Sequence, residues 1–263
     1  AVLFLISGGA SALVTHPVFA ITLEDLMNVT QVLLNCGASI DEINTVRKHL
    51  DECKGGGMAH AAYPAASISL ILSDVPGNQL DVIASGPTLP DSTTFDDAMA
   101  VFEKFNLNDD IPESVFAYFS DGIQGIVADT PKPGNAAFKD NRAEVIASVD
   151  QAMSAAKKRA EELGYQADLY FPLLKGEAFE QGSYLAQFLK QQAKLKKPAS
   201  PPKCWICGGE TTVTIQGTGE GGRNQELALA AVAGLAEVPG AVLVAFATDG
   251  EDGPTDAAGA VVT

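Results

Sequence analysis

Short apolar runs that end abruptly in small or acidic residues constrain this chain more than any other feature. "LFLI" leads to Ser7-Gly8-Gly9-Ala10-Ser11, and "SLIL" to Ser73-Asp74. "WIC" leads to Gly208-Gly209-Glu210-Thr211, and "LVAFA" to Thr248-Asp249-Gly250. Runs this short and this apolar read as buried strands, and helical runs separate them. The helical stretch over 23–35 opens with Thr22 and Asp25, the one over 40–53 with Ser39 and Glu42. Both are capping-box spacings. Alternation of this kind predicts an α/β fold: a Rossmann-like, mainly parallel sheet domain with helices on both faces, plus a smaller α/β domain. In open sheets of this class ligands bind beyond the carboxyl ends of the strands, so those strand exits are the places to look for chemistry.

Further strands are expected over 67–73, 143–149 and "QADLYF", and further helices over "TTFDDAMAVFEKF", "PESVFAYF", 150–164 and about 176–195. "TTVTI" alternates and suggests an antiparallel hairpin in the second domain. "KLKKPASPPK" (194–203) joins charge to proline and reads as a linker. The domains are therefore expected over 1–196 and 203–263. The chain opens on a strand in progress and closes on another just starting, so both ends read as cut. The first domain is then incomplete at its start and the second truncated.

The 263 residues carry a net charge of −16, so nucleic acid and anionic membrane surfaces are poor partners. No run approaches the length of a membrane span. Four cysteines suit a reducing, cytoplasmic compartment. "CWIC" lacks the two further ligands of a zinc site; buried strand thiols are the simpler reading, with metal or redox chemistry the alternative.

"SGGAS" lets backbone N–H groups approach an anion, although it is neither a Walker A loop nor G-x-G-x-x-G. "KGGG" brings Lys54, Gly55 and Gly56 toward the same kind of ligand. Asp74 reads as an Asx turn or as a carboxylate that orients or deprotonates a hydroxyl. "TDGEDGPTD" gathers acids including Asp249 without EF-hand spacing; Mg²⁺ held through nucleotide phosphates is one reading, solvated turn acids another. Arg47 and Lys48 read as surface cations.

Arg223, in "GEGGRNQELALA", is the odd residue. A helix capped at Asn224 would place this cation at the positive end of the helix dipole. An anion bound between the two would turn a repulsion into two attractions; a salt bridge to a nearby acid is the plainer alternative.

Taken together, "LISGGASAL", "GASIDEINTVRKHLDECKGGGMA", "SLILSDVPGNQLDVIASGPTLPDSTTFDDA", "GGETTVTIQGTGEGGRNQELALA" and "ATDGEDGPTDAAGA" resemble the type-2 glycerate kinases, the MOFRL family. The resemblance implies two α/β domains with the active site in the cleft between them. It implies ATP-dependent phosphorylation of D-glycerate to 2-phosphoglycerate, with Mg²⁺. Asp74 and Arg223 match the family's functional aspartate and arginine. Ser7, Gly8, Gly9, Ser11, Lys54, Gly55, Gly56, Gly209, Glu210, Asn224 and Asp249 are expected to bind substrate or nucleotide. No metal ligand is assigned, and oligomeric state is left open. The family's catalytic lysine would precede Ala1. The chain reads "IASV" (146–149) where many relatives read Ile-Gly-Ser-Asn, and carries Glu220 where relatives often have a neutral or basic residue. A remnant that binds nucleotide or glycerate without turnover is the alternative function.

Overall fold

A computed structural model describes all residues except Gly8, 74–78, Phe171 and 196–199. The chain divides into two compact units, Ala1–Val149 and Asp150–Thr263.

The first unit contains a parallel three-stranded sheet and a helical cluster. Strand β1 (Val2–Ser7) is followed by the short helix α1 (Ala10–Leu13), then α2 (Leu23–Asn35), α3 (Ile40–His49) and α4 (Gly57–Ala62). Strand β2 (Ser67–Ser73) precedes a 3-10 turn at Ile83–Ser85, helices α5 (Phe95–Phe105) and α6 (Glu113–Ile123), and strand β3 (Asn141–Ser148). The strands lie side by side in the order β1-β2-β3, all parallel. Val2 pairs with Ser67 and Ser67 with Asn141, and the β2–β3 register slips once between Ile71 and Leu72. Parallel pairing requires long crossovers, which the helices supply.

One face of the sheet is covered. Ile6 and Ile71, with Phe4 and Ala143, pack on Ile83, Ala84, Ala10 and Leu80. The alternate residues Leu3, Leu5, Ile68 and Ile146 are exposed on the other face. The longer helices bury their apolar stripes against one another: Val29 and Leu33, Ile43 and Val46, Phe95 and Phe102, Val115 and Phe119. Phe102 and Phe119 stack at 5.5 Å between ring centroids.

Both expected capping boxes are present, and a third, Thr94 with Asp97, opens α5. Each satisfies two orphan donors of its helix reciprocally. Helix α3 ends at His49 rather than at the expected 53. Its continuation turns because Asp51 accepts the Cys53 N–H at 2.8 Å, and the Glu52 N–H bonds His16 O at 2.7 Å.

In the second unit, α7 (Val149–Glu162) leads to β4 (Gln166–Leu169), β5 (Leu174–Glu177) and α8 (Ala178–Leu195). After them come β6 (Lys203–Ile206), β7 (Gly209–Thr212), α9 (Arg223–Leu235), β8 (Leu243–Phe246) and β9 (Gly259–Val262). Strand β4 pairs with β6 and β5 with β7, both parallel. The only antiparallel pair of strands among the described residues is β8–β9. The hairpin expected at "TTVTI" is therefore corrected. Gly209–Thr212 joins a strand 35 residues earlier, and Thr212 and Thr214 donate their hydroxyls to Glu177. Helices α8 and α9 approach closely because small residues face each other. A Cβ on Gly234 would come within 2.7 Å of Ala186 Cβ. Ala186, Ala228 and Ala231 share the core there with Leu185, Leu227 and Leu235. No helix among the described residues is long and apolar enough to cross a membrane.

Candidate active site

The carboxyl ends of the three parallel strands carry Ser7, Ser73 and Ser148. Ser7 is exposed, Gly9 caps α1, and Ser11 lies in that helix. A chain of hydrogen bonds fixes Ser11. Its Oγ lies 2.8 Å from Ser85 Oγ, which donates to Asn44 Oδ1 at 2.9 Å. Arg47 clamps the same residue: Nη2 donates to Ser11 O at 2.6 Å and Nη1 to Ser11 Oγ at 3.2 Å. Ala84 and Ser85 both hold left-handed backbone, with φ 54° and 61°. Such conformations cost about 1–3 kcal/mol each and persist where surrounding contacts over-determine them.

Behind this loop lies a set of buried charges, each already neutralised. Lys54 is 2 % exposed; Nζ pairs with Asp51 Oδ2 at 2.9 Å and donates to Val14 O at 2.8 Å. Asp51 also accepts the Thr15 hydroxyl and the backbone N–H groups of His16 and Cys53. Lys48 pairs with Asp91 at 3.4 Å, and Asp91 further accepts Thr93 and Thr130. Burial pushes the Asp91 carboxyl up, but Lys48 and Thr93 outweigh it and hold the group below the usual range.

His49 Nδ1 faces Thr45 O at 2.8 Å. Its Nε2 lies 2.9 Å from Asp129 Oδ1, at ion-pair distance though out of line for a hydrogen bond. Burial again raises the Asp129 carboxyl, and His49 and Lys132 together depress it well below the usual carboxylate range. A carboxyl with a lowered folded-state pKa stabilises fully above its ordinary value and loses that contribution as pH falls through it. Thermal melts of wild type and Asp129→Asn should therefore converge as pH drops below about 4. A gap that stays constant from pH 6 to pH 2 would show that the pair contributes nothing.

The glycines after Lys54 are engaged by the protein itself. The N–H groups of Gly55, Gly56 and Gly57 bond Ser85 O, Gly86 O and Lys54 O at 3.0, 2.8 and 2.9 Å. This corrects the reading of "KGGG" as an anion cradle. The Gly55 and Gly56 amides are spent on the left-handed turn at Ala84–Gly86, the Gly57 amide on Lys54 O, and the Lys54 ammonium on Asp51.

Helix α9 begins at Arg223, not after an Asn224 cap, and Gly222 is its N-cap. Asp252, almost fully buried, supplies the anion at this helix start. Oδ1 accepts both the backbone N–H and the side-chain amide of Asn224 at 3.0 Å, and Oδ2 accepts the Gln225 N–H at 2.8 Å. Burial works against the ionised form, but these donors more than compensate and the Asp252 carboxyl lies below its ordinary value. Arg223 reaches outward, its side chain 45 % exposed, and Nη1 donates to Glu210 Oε1 at 2.6 Å. Asp249 accepts the Glu251 N–H at 3.2 Å and is otherwise solvated. Among the described residues no three His, Cys, Asp or Glu side chains converge on a metal position.

Two family profiles match this arrangement. One, described as "Domain of unknown function (DUF4147)", covers residues 1–120, and the other, the MOFRL family, covers 203–263. A D-glycerate 2-kinase of Thermotoga maritima is 44 % identical over 261 residues, 99 % of this chain and 60 % of that protein. A glycerate kinase of Macaca fascicularis is 38 % identical over 301 residues, 99 % of this chain and 74 % of its own length. The chain belongs to the glycerate kinase family that carries the MOFRL domain. The crystal structure of the Thermotoga maritima glycerate kinase superposes with a TM-score of 0.83 at 43 % identity, over 99 % of this chain and 60 % of that one. The α/β fold is thus that of the glycerate kinases, and the chain spans about 60 % of the length of the Thermotoga relative.

Of the residues expected to act in this family member, Ser7, Gly9 and Ser11 gather at the end of β1. Glu210, Arg223, Asn224 and Asp249 belong to the second unit, where Glu210 and Arg223 pair. Gly209 instead packs tightly: a Cβ there would overlap the Leu174 backbone, so its glycine serves β5–β7 contact. Gly8 and Asp74 lie outside the described residues. Sequence reasoning passed over Asn44 and Ser85, named Asp252 only among the acids gathered with Asp249, and read Arg47 as a surface cation. Only the acid-rich "TDGEDGPTD" hinted at any of them. The "CWIC" thiols are free and half-buried, and burial, with Cys204 adding to it, pushes the Cys207 thiol up to about 11. A thiol neutral at pH 7 is a poor nucleophile, which favours the structural reading.

Proposed function

We propose that the whole protein transfers the γ-phosphoryl of ATP to D-glycerate, giving 2-phosphoglycerate. The observation that carries this reading is 44 % identity to a D-glycerate 2-kinase sustained along 99 % of the chain. Phosphoryl transfer asks a protein chiefly for positioning and charge neutralisation. The strand ends of the first unit suit that task, since Arg47, Ser85 and Asn44 hold Ser11 in a hydrogen-bonded clamp. Asp74 is assigned to the glycerate hydroxyl, which it orients or deprotonates. Arg223 is assigned to the transferring phosphoryl. Its pair with Glu210 is exposed, and such pairs are worth about 0–1 kcal/mol, so a multiply charged phosphate displaces the carboxylate readily. Mg²⁺, when bound, neutralises charge on the nucleotide phosphates. Asp249 suits it better than Asp252, whose two oxygens are occupied by α9. The substrate is small, and neither nucleic acid nor membrane is needed; we place the reaction in the cytoplasm.

The test is ADP formation that requires ATP and D-glycerate together, with ³¹P spectra identifying 2-phosphoglycerate. Arg223→Ala should lower turnover by about a hundredfold, the scale of losing one donor to developing charge. Absence of ADP formation from a folded wild-type protein would favour binding without turnover.

A further inference from the structure

The cations near the "SGGAS" segment differ in one respect. Lys48 has Asp91 and Lys54 has Asp51, both at ion-pair distance. Arg47, one residue before Lys48, has no carboxylate partner among the described residues. Its two printed partners are neutral oxygens of a single residue, Ser11 O and Ser11 Oγ. Its Nε is buried and makes no hydrogen bond. Asp51, the carboxylate among the described residues that acts on it electrostatically, is already held by Lys54, Thr15 and two backbone N–H groups.

A half-buried guanidinium held only by neutral acceptors is costly. Burial lowers the Arg47 pKa, and Asp51 offsets this in part. Removing water from a charge without supplying a counter-charge is unfavourable unless a ligand completes the site. The placement of Arg47 fits that role. It grips Ser11 in α1, four residues beyond the carboxyl end of β1, the end at which α/β sheets bind ligands. Two of its five donors point into Ser11, which fixes the plane of the fork. The remaining Nη hydrogens are the ones left to bind a ligand.

We propose that Arg47, anchored on Ser11, is the charge that binds an oxyanion beside Ser11: a carboxylate or a phosphoryl group of a small substrate. Arg47, and not Lys54, is then the cation of this loop. The proposal rests on the kinase reading only for its choice of probes, D-glycerate and ATP.

Calorimetric titration of the 263-residue chain with D-glycerate, with ATP and with uncharged glycerol tests it. Wild type should bind at least one of the two anions saturably and glycerol not at all. Arg47→Gln keeps a donor for Ser11 and removes the charge; it should weaken that anion by at least about tenfold, the scale of a charge-assisted hydrogen bond. Arg47→Lys should fall between the two. Loss confined to D-glycerate assigns the carboxylate, and loss confined to ATP assigns the phosphates. No saturable anion binding by wild type, or equal affinity in Arg47→Gln, overturns the proposal. If Arg47→Gln fails to melt cooperatively, a lysine variant binding as tightly as wild type overturns it instead. ADP formation measured on the same samples separates the two readings. Arg47-dependent binding without turnover leaves this site standing and favours binding without turnover for this chain. Turnover with Arg47-independent binding does the reverse.

Discussion

Gly56→Ala should destabilise the first unit by about 3 kcal/mol or more, and urea unfolding will show it as a lowered midpoint. Two costs add. Gly56 has φ +86°, where any side chain is strained. A Cβ there would also come within 2.7 Å of the Phe138 ring and 2.8 Å of Leu89 O. The ring has some freedom to shift; the carbonyl, part of the backbone, has little. A variant that melts like wild type would mean that the turn is free to adjust, and the corrected reading of "KGGG" as a packing motif would lose its basis.

Asp252→Ala should be the most damaging single change in the second unit. It removes the acceptor for two backbone N–H groups and a side-chain amide at the start of α9, in a nearly solvent-free position. Loss of an N-cap alone costs about 0.5–2 kcal/mol, and each buried donor left unsatisfied adds about 1–3 kcal/mol. We expect about 2–4 kcal/mol in total, since water will repair part of the loss. Gly222 leaves the carboxylate its room, because a Cβ there would overlap it. Glu at position 252 should rescue poorly for want of that space. Thermal melts of the three proteins decide the matter: an alanine variant within about 0.5 kcal/mol of wild type would show that α9 caps itself.

What could be read in advance follows from the range of the interaction. Thr22 with Asp25 and Ser39 with Glu42 are three residues apart, so the code is local and the helix starts came out as expected. Strands β1 and β2 announce themselves because a run such as "VLFLI" has nowhere to go but inside a sheet. Strand β5, "LKGE", carries two charges in four residues and borrows its order from β7, so nothing nearby signals it. The anion expected at the start of α9 is a ligand in one reading of Arg223 and a nearby acid in the other. Asp252, 28 residues from Asn224, fills that role, and a single sequence does not reveal a pairing across such a gap. "KGGG" failed for a related reason. A glycine that spares a neighbour's ring looks, in sequence, like a glycine that admits a phosphate.

The three reciprocal caps and the shared apolar core of α2, α3, α5 and α6 also bear on the order of events in time. Helices α2 and α3, and likewise α5 and α6, meet as chain neighbours, whereas α3 meets α5 across a longer stretch, with Lys104 reaching Glu42 over 62 positions. The β2–β3 edge, by contrast, joins Ser67 to Asn141 across 74 positions. Closing so wide a loop costs entropy before any contact repays it. The two neighbouring helix pairs are therefore expected to form ahead of the sheet, whose strands must close the widest loops of this unit.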